Sequence, residues 1–281
     1  MARSPAGTTT QRVSSRNATF QQWQALLTNR TKRHRAGALL VSGVRPLTVA
    51  VESGHVVREW LHGETGSLSA WARDLVAHAP AQRFVVADEL RHELGGKEQG
   101  TPELLAVVEM ADGDIRRLDA AADFLGVLLD RPSSPGNVGT IIRSVDALGG
   151  HAVVVTGHAT DPYDPQAVRA STGSVFGVPI VSAAAPREVL EWVDGVRRAG
   201  VPLRLVATDE RAERDVWDHD LTGPVLLLTG NETTGLSQAW RDAADDVVRI
   251  PMAGSASSLN AASATTAILY EAARQRLRGR G

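Results

Sequence analysis

Between residues 124 and 148 the chain reads FLGVLLDRPSSPGNVGTIIRSVDAL. The stretch opens with an uninterrupted apolar run, continues through a segment of Pro, Ser and Gly, and ends with apolar residues at helical spacing. This order predicts a buried strand over residues 124–129, then a loop, then a helix over residues 138–148. Asn137 is a good N-cap for that helix, and the glycines on both sides of it permit close approach of the backbone.

The same alternation of strand and helix continues through the second half of the chain. Further strands are predicted at residues 152–155, 203–207, 225–229 and 246–250, and further helices at residues 189–198 and 258–277. Continuous apolar strands that alternate with helices predict a parallel sheet with helices on both faces. In such sheets, ligands bind at the loops beyond the carboxyl ends of the strands.

A smaller α/β domain is predicted over residues 19–112. Its helices are expected at residues 20–29, 44–52, 68–79 and 88–94, and its strands at residues 38–43, 56–61, 83–87 and 103–110. The charged stretch at residues 111–121 marks the predicted boundary. The second domain is then expected over residues 123–281.

The composition is that of a soluble globular protein, with 43% apolar and 22% charged residues. No apolar run is long enough to cross a bilayer, and the first thirty residues lack the apolar core of a signal peptide. The absence of cysteine excludes disulfides, thiolate nucleophiles and cysteine-based metal sites. These features favour a cytoplasmic protein.

Positive charge is concentrated at the start of the chain, where residues 1–51 contain no Asp or Glu. We predict a basic, flexible arm over residues 1–18 that meets a polyanion such as RNA. A solvated tail in an arginine-rich sequence would give the same pattern, so charge alone leaves both interpretations open. Membrane binding is not expected, because no amphipathic segment with bulky apolar anchors follows.

The helix predicted after the first loop carries an arginine of interest. Arg143 lies six residues after Asn137, about one and two-thirds helical turns further on. Its side chain could therefore reach back toward the loop. A capped helix with a solvated arginine is the simpler interpretation of this segment taken alone.

The second loop, residues 228–237, reads LTGNETTGLS directly after a predicted buried strand. The N-terminal end of the next helix could face a ligand there. The loop lacks the Gly-Lys-Ser/Thr ending of a phosphate loop and the three spaced glycines of a dinucleotide site. A turn followed by a helix cap remains an alternative interpretation.

The third loop, residues 250–263, reads IPMAGSASSLNAAS. Its small residues would let backbone groups reach a flat ligand such as adenine, and Ser258 and Asn260 add polar groups near the helix start. Helix capping by Ser and Asn is the simpler explanation of that pair. The order of the three loops and their shared position at strand ends favour a ligand site.

Together the three segments resemble the signature motifs of the SpoU family of RNA ribose 2′-O-methyltransferases, within the SPOUT superfamily. The resemblance covers about residues 123–278. It implies an α/β domain whose C-terminal segment threads a deep trefoil knot, loops that bind S-adenosylmethionine, and a homodimer. The first half, with LVSGVR at residues 40–45 and Glu98-Gln99-Gly100, resembles the family's substrate-binding domain, which is related to kink-turn-binding ribosomal proteins.

The resemblance also implies roles for individual residues. Asn137 and Arg143 match the catalytic pair of the first motif, and Glu232 matches the acidic residue of the second. Ser258 and Asn260 match the polar pair of the third. Cofactor contacts, largely through backbone groups, are expected at Thr208, Gly230, Asn231, Ile250, Met252 and Leu259. No metal is expected.

One position departs from the family pattern, since Thr233 stands where a glycine commonly follows the glutamate. A side chain there could narrow the second loop. Arg143 is expected at the ribose hydroxyl, where it stabilises developing alkoxide or positions a phosphate, because guanidinium stays protonated and is a poor base. Asn137 and Glu232 are expected to orient Arg143 and the ribose.

The longer first domain and the basic arm resemble the antibiotic-resistance ribosomal RNA methyltransferases of the family more than its minimal tRNA enzymes. 23S ribosomal RNA, at an antibiotic-binding site, is the favoured substrate, and DNA is excluded because it lacks the 2′-hydroxyl. A tRNA ribose, a base such as guanine at N1, and a non-catalytic RNA-binding module remain alternatives. A nucleotide-dependent oxidoreductase is disfavoured because the glycine fingerprint is missing.

Overall fold

The computed structural model describes residues 10–64, 68–96, 100–256 and 258–278. The chain divides into two compact units, residues 1–111 and residues 112–281. Two of the predicted features, residues 1–9 of the basic arm and the pair Glu98-Gln99, lie outside the described residues. Within the described ranges, no helix combines the length and the apolarity needed to cross a membrane.

The first unit is built on a mixed sheet with helices packed against it. Its elements are β1 (Gln11–Val13), α1 (Ala18–Thr28), α2 (Arg30–Ala36), β2 (Ala38–Ser42), α3 (Val44–Glu52), β3 (Val57–His62), α4 (Ala70–His78), β4 (Gln82–Val86), α5 (Asp88–Gly95) and β5 (Leu104–Glu109). The strand order is β1-β4-β3-β5-β2. β4 runs parallel to both of its neighbours, whereas β5 is antiparallel to β3 and to β2.

This sheet begins inside the segment that was expected to be flexible. β1 pairs in parallel with β4 at the sheet edge, and Val13 is buried in the core. Just beyond it, Arg16 forms an ion pair with Glu93 at 2.8 Å. The expectation of a flexible arm is therefore wrong for residues 10–18. A three-residue edge strand with one buried side chain is too short for the periodicity of the sequence to reveal.

The second unit is built on a fully parallel sheet in its described residues. Its elements are β6 (Leu125–Asp130), α6 (Pro135–Ala147), β7 (Ala152–Thr156), α7 (Pro165–Ser171), α8 (Ser174–Gly177), β8 (Ile180–Ala183), α9 (Pro186–Arg198), β9 (Arg204–Thr208), β10 (Arg214–Asp215), β11 (Val225–Thr229), α10 (Gln238–Ala243), β12 (Asp246–Arg249) and α11 (Ala261–Arg278). The strand order is β10-β12-β9-β11-β6-β7-β8. The predicted parallel α/β architecture is confirmed.

Three neighbouring strands in the middle of this sheet, β11, β6 and β7, are buried along their whole length. Strands covered on both faces need apolar side chains at every position, which explains the uninterrupted runs in the sequence. Because the strands are parallel, the loops that follow β6, β9, β11 and β12 all leave the same edge of the sheet. This edge carries the three loops singled out from the sequence.

The charged stretch that was expected to separate the domains is part of the second unit. Ile115, Leu118 and Ala120 are each less than 9% exposed and pack into the same core as Phe124. The second unit therefore begins near residue 112 rather than 123. Charged neighbours on both sides of these apolar residues obscured their burial in the sequence.

Helix α6 starts at Pro135, three residues earlier than expected. The N-cap is Ser134, whose Oγ accepts a hydrogen bond from the backbone N–H of Asn137 at 3.3 Å. The assignment of Asn137 as the N-cap is wrong, because Ser followed by Pro at the first helical position is a favourable start on its own. The Asn137 side chain is thereby available for contacts outside its helix.

The last described helix, α11, returns to the amino-terminal edge of the sheet. The Arg276 guanidinium donates to the backbone carbonyls of Leu221 at 3.0 Å, Phe124 at 3.2 Å and Gly223 at 2.5 Å, and also to that of Asp123. One side chain thus fixes the end of α11 to the segments that lead into β6 and β11. The trefoil knot implied by the resemblance stays a prediction.

Candidate active site

Glu232 joins the loop after β11 to the loop after β6. Its Oε2 accepts from the backbone N–H and the hydroxyl of Ser133 at 3.0 and 2.8 Å. Its Oε1 accepts from the N–H of Ser134 at 3.1 Å and from Nδ2 of Asn137 at 2.9 Å. Burial raises the pKa of Glu232, but the hydrogen bonds from Asn137 and Ser133 outweigh that effect and bring it to about 2. The side chain is a carboxylate at neutral pH.

Asn260 adds the third loop to this group. Its Nδ2 donates to Oδ1 of Asn137 at 3.1 Å, while its own Oδ1 accepts from the N–H of Ala262 at 2.9 Å. The second contact caps α11, which begins at Ala261 and not at residue 258 as expected. The side chains of Glu232, Asn137 and Asn260 therefore form one hydrogen-bonded chain across all three predicted loops.

A cavity of about 650 Å³ lies at the same edge of the sheet. Its lining includes every residue predicted to contact a cofactor, namely Thr208, Gly230, Asn231, Ile250, Met252 and Leu259. Two residues of the predicted catalytic set, Glu232 and Ser258, also line it. The volume falls within the range of small-molecule and cofactor sites.

Other residues of the cavity wall were not predicted from the sequence. Asp209, Glu210 and Arg211 follow β9, and Arg241 and Thr265 come from α10 and α11. The first three directly follow a predicted strand of the parallel sheet, so the rule of strand carboxyl ends could have found them. Arg241 and Thr265 lie inside helices, where the sequence offers no comparable signal.

The second loop folds back on itself next to the cavity. Asn231 and Gly235 exchange two backbone hydrogen bonds at 2.9 and 3.1 Å, and Gly235 has a φ of +66°. A Cβ at Gly230 would lie 2.4 Å from the backbone of Gly235, so only glycine fits there. The N–H of Thr233 donates to Oδ1 of Asn231 at 2.9 Å, which shows that the turn accommodates the threonine at this position.

Arg143 makes its side-chain hydrogen bond to another part of the chain. It is exposed on α6, and its Nη1 donates to Oγ1 of Thr172 at 3.3 Å. Six residues of helix rotate position 143 by about 240° relative to Asn137, so the two side chains leave different faces. In this structure Arg143 donates to Thr172 rather than to Asn137 or Glu232, and its expected place at the first loop stays a prediction.

The turn that receives Arg143 was not anticipated. Thr172 has a φ of +52°, a left-handed conformation that β-branched residues rarely adopt. Two residues later, the Ser174 hydroxyl donates to Oδ2 of Asp146 at 2.6 Å. Arg143 and Asp146, one turn apart on α6, are thus both bound by residues 172–174, where the chain passes from α7 into α8.

Comparisons with known proteins agree with this geometry. The sequence model of the SpoU rRNA Methylase family matches residues 125–270, and that of the SpoU L30e-like domain matches residues 17–106. The chain belongs to the SpoU methylase family. The resemblance drawn from the three loops is therefore confirmed.

One curated relative within the SpoU family is similar along nearly the whole chain. It is named 23S rRNA (uridine(2479)-2′-O)-methyltransferase, from Streptomyces viridochromogenes, and is 57% identical over 278 residues. The alignment covers 99% of this chain and 96% of the relative.

Solved structures match the fold as well. The SpoU methyltransferase AviRb from Streptomyces viridochromogenes, in complex with the cofactor AdoMet, has a TM-score of 0.89 and 58% identity, covering 93% of this chain and 99% of that one. An AdoMet-bound rRNA methyltransferase from Sinorhizobium meliloti has a TM-score of 0.83 and 29% identity, covering 94% and 98% of the two chains.

The cavity of this SpoU protein has features that fit S-adenosylmethionine. Met252 and Leu259 remain 38% and 42% exposed in its wall, which leaves apolar surface for a flat base to cover. Because a Cβ at Gly230 would collide with the loop backbone, this part of the cavity wall is formed by peptide groups and carries no side chain. Thr208 adds a polar group to the wall, while the side chain of Asn231 is held by Arg131 and Thr233 and keeps the loop in shape.

Proposed function

We propose that this protein transfers a methyl group from S-adenosylmethionine to a ribose 2′-hydroxyl of 23S ribosomal RNA. The proposal is carried by the hydrogen-bonded chain of Glu232, Asn137 and Asn260 at a cavity suited to a nucleoside cofactor. The substrate is taken from the relative named as a 23S rRNA 2′-O-methyltransferase, which this chain resembles along almost its full length.

S-adenosylmethionine would supply an electrophilic methyl group when bound. The backbone around Gly230 and Asn231, with Ile250, Met252 and Leu259, would hold it, and Thr208 would close the side of the cavity next to β9. The residues of the chain would then bring the ribose oxygen into line with the methyl group and exclude competing water.

The charge and position of each polar residue suit it to a different role in the reaction. Glu232, with a pKa near 2, has almost no affinity for a proton at neutral pH, so we assign it to holding the loops and Asn137 rather than to general base catalysis. Ser258 and Asn260 would position the ribose. Arg143, which is exposed, would bind an RNA phosphate or stabilise negative charge at the reacting oxygen through its guanidinium.

The function is tested by incubating the protein with tritiated S-adenosylmethionine and separate pools of 23S rRNA, tRNA and assembled large subunits. Label on a ribose of 23S rRNA is expected, either in the naked RNA or in the subunit. Label confined to tRNA would overturn the choice of substrate. Failure to bind the cofactor by calorimetry would support a non-catalytic RNA-binding module instead.

The role of Arg143 is tested by replacing it. Arg143→Ala is expected to lower methyl transfer by about 100-fold or more, the usual effect of losing a group that stabilises developing charge, while cofactor affinity stays within about twofold. Arg187→Ala, on the outer surface of α9, removes another exposed arginine and serves as the control. Full activity of Arg143→Ala would contradict the assignment.

The assembly and location of the protein belong to the same proposal. α11 exposes Tyr270 at 63% and Leu277 at 72%, seven residues apart and so on one face of the helix. This apolar face supports a homodimer, which sedimentation would detect as twice the chain mass.

A ribosomal substrate would place the protein in the cytoplasm. Methylation at an antibiotic-binding site would raise the inhibitory concentration of that antibiotic for cells that express the protein.

A further inference from the structure

We propose that Asp130 and Arg131 are positioning residues that hold the loop of residues 230–237 in its cofactor-binding form. They lie at the carboxyl end of β6, the strand between β7 and β11. Arg131 is not part of the cavity wall, and its effect on the cofactor is exerted through the loop. The inference rests on the proposed function, because it assigns these residues to the binding of S-adenosylmethionine.

Asp130 anchors the far end of the loop. Its carboxylate is only 3% exposed, and its Oδ2 accepts from the backbone N–H of Ser237 at 2.7 Å. The same carboxylate receives both Nε and Nη2 of Arg131, at 3.1 and 3.0 Å. A buried charge is costly unless it is paired, so Asp130 depends on these donors as much as the loop depends on Asp130.

Arg131 contacts the loop at two further points. Its Nη2 donates to the carbonyl of Gly235 at 3.1 Å, and its own carbonyl accepts from Nδ2 of Asn231 at 2.8 Å. These two loop residues also exchange the backbone hydrogen bonds that close the turn. Arg131 therefore forms hydrogen bonds with both sides of the turn, while Asp130 binds the end of the loop at Ser237.

The backbone at Arg131 is in an unusual conformation. Its φ is +51°. Among the described non-glycine residues, only Arg131 and Thr172 have a positive φ. A left-handed residue outside glycine persists only where its surroundings enforce it, and such residues cluster at functional sites. Here the conformation lets the peptide carbonyl face Asn231 while the side chain turns toward Gly235.

A neighbouring glycine makes room for this arrangement. A Cβ at Gly157, directly after β7, would lie 2.8 Å from Cγ of Arg131. The backbone N–H of Arg131 donates to the carbonyl of Thr156 at 3.0 Å, which holds the two chains together at that point. The space for the arginine side chain is thus supplied by the glycine that follows the adjacent strand.

The loop held in this way carries a large part of the cavity wall. Gly230, Asn231 and Leu236 line the cavity, and so does Glu232, the hub of the hydrogen-bonded chain. A loop released from Asp130 and Arg131 would sample other shapes, and the cofactor would have to reorder it on binding. The expected consequence is weaker cofactor binding with little change in the chemical step once the site is filled.

The test compares cofactor affinity with the turnover rate in the full-length protein. Arg131→Ala is expected to raise the dissociation constant for S-adenosylmethionine by about tenfold or more, with kcat at saturating cofactor reduced by less than about threefold. Asp130→Asn should change affinity in the same direction. Arg131→Lys keeps the charge but cannot bridge Asp130 and Gly235 together, and it carries the test if Arg131→Ala does not fold.

Gly157→Ala gives a second perturbation that removes no hydrogen-bonding group. Its Cβ would displace the Arg131 side chain, and the φ of +72° would also strain the backbone beside Arg131. The substitution should also weaken cofactor binding, while the control Arg187→Ala should not. Affinities of the Arg131 variants within about twofold of wild type would overturn the proposal. A wild-type protein that fails to bind S-adenosylmethionine would instead contradict the proposed function, so the two failures are distinguishable.

Discussion

At the scale of single residues, Glu232 shows how a carboxylate on a loop can act as a structural hub. Two backbone N–H groups, a hydroxyl and an amide converge on its two oxygens. These donors favour the ionised form, which is why its pKa lies far below the ordinary value despite the burial that opposes ionisation. The pKa of Glu232 therefore depends on the hydrogen bonds between the loops after β6 and β11, and should rise if these hydrogen bonds are lost.

This arrangement predicts a pH-dependent contribution to stability. The folded pKa of about 2 is below the ordinary value of 4.5, so the stabilisation is fully present above pH 4.5 and is lost as the pH falls toward 2. The melting temperature of wild type should therefore exceed that of Glu232→Gln by a constant amount above about pH 5.5, and the difference should shrink below pH 4.5. Glu188→Gln, on the surface of α9, is the control. A difference that does not vary with pH would contradict the hydrogen-bonded role.

A second residue-scale prediction concerns two glycines on α6. A Cβ at Gly139 would lie 2.2 Å from the carbonyl oxygen of Ala167, whereas a Cβ at Gly136 would meet nothing closer than 3.8 Å. Gly139→Ala should therefore destabilise the protein by about 1–3 kcal/mol through overpacking of α6 against α7. Gly136→Ala should change stability by less than about 1 kcal/mol. Chemical denaturation of the two variants measures the contrast, and equal effects would argue against the close approach of the two helices.

The sequence predicted that three polar residues lie at the same edge of the sheet, but it did not predict the contact of Arg143. Asn137, Glu232 and Asn260 could be placed at one edge of the sheet in advance, because each lies in a segment that follows a strand of a parallel sheet. The contact of Arg143 with Thr172 and the clamp at Arg131 could not be predicted. Both depend on non-glycine residues with positive φ, and tertiary packing rather than local sequence selects that conformation.

At the scale of secondary-structure elements, strands buried on both faces were easier to predict from the sequence than short elements. The strand β11 was predicted with its observed bounds, since a strand covered on both faces leaves a continuous apolar run. The short helices α7, α8 and α10 and the edge strand β8 were not predicted. Elements of four to seven residues complete too few periods to separate helix from strand.

The corrected start of α6 gives a prediction of its own. Ser134→Ala removes the N-cap and should cost about 1 kcal/mol of stability, measured by chemical denaturation. Asn137→Ala leaves the cap in place but removes the link between Glu232 and Asn260, so it should lower methyl transfer more than Ser134→Ala does. The reverse ranking of the two variants in activity would indicate that Asn137 has no part in the site.

At the scale of the whole molecule, the second unit contains the predicted site, and its core includes the segment before β6. Ile115 and Leu118 are buried in that core, and the backbone carbonyl of Leu118 accepts from Nε1 of Trp192 at 3.3 Å. The residues that look like a linker in the sequence therefore contribute to the stability of the parallel-sheet unit. The chain cannot be divided at residue 123 without exposing this core.

A pair of fragments tests this division. Residues 112–281 should unfold cooperatively and bind S-adenosylmethionine, because the cavity is lined entirely by this unit. Residues 123–281 should melt at a lower temperature, since each buried aliphatic side chain that is lost contributes about 1.5–3 kcal/mol. Calorimetry of the two fragments side by side makes the comparison. Equal melting temperatures would mean that the segment before β6 is a linker after all.

The space that Gly157 leaves for Arg131 has a consequence for how sequences of this kind can change. A side chain at position 157 would collide with the arginine as it lies here, and the φ of +72° at Gly157 disfavours any L side chain there as well. The two positions lie 26 residues apart in the chain, so the local sequence does not reveal this constraint. Glycine should therefore stand at position 157 in every family member that keeps Arg131.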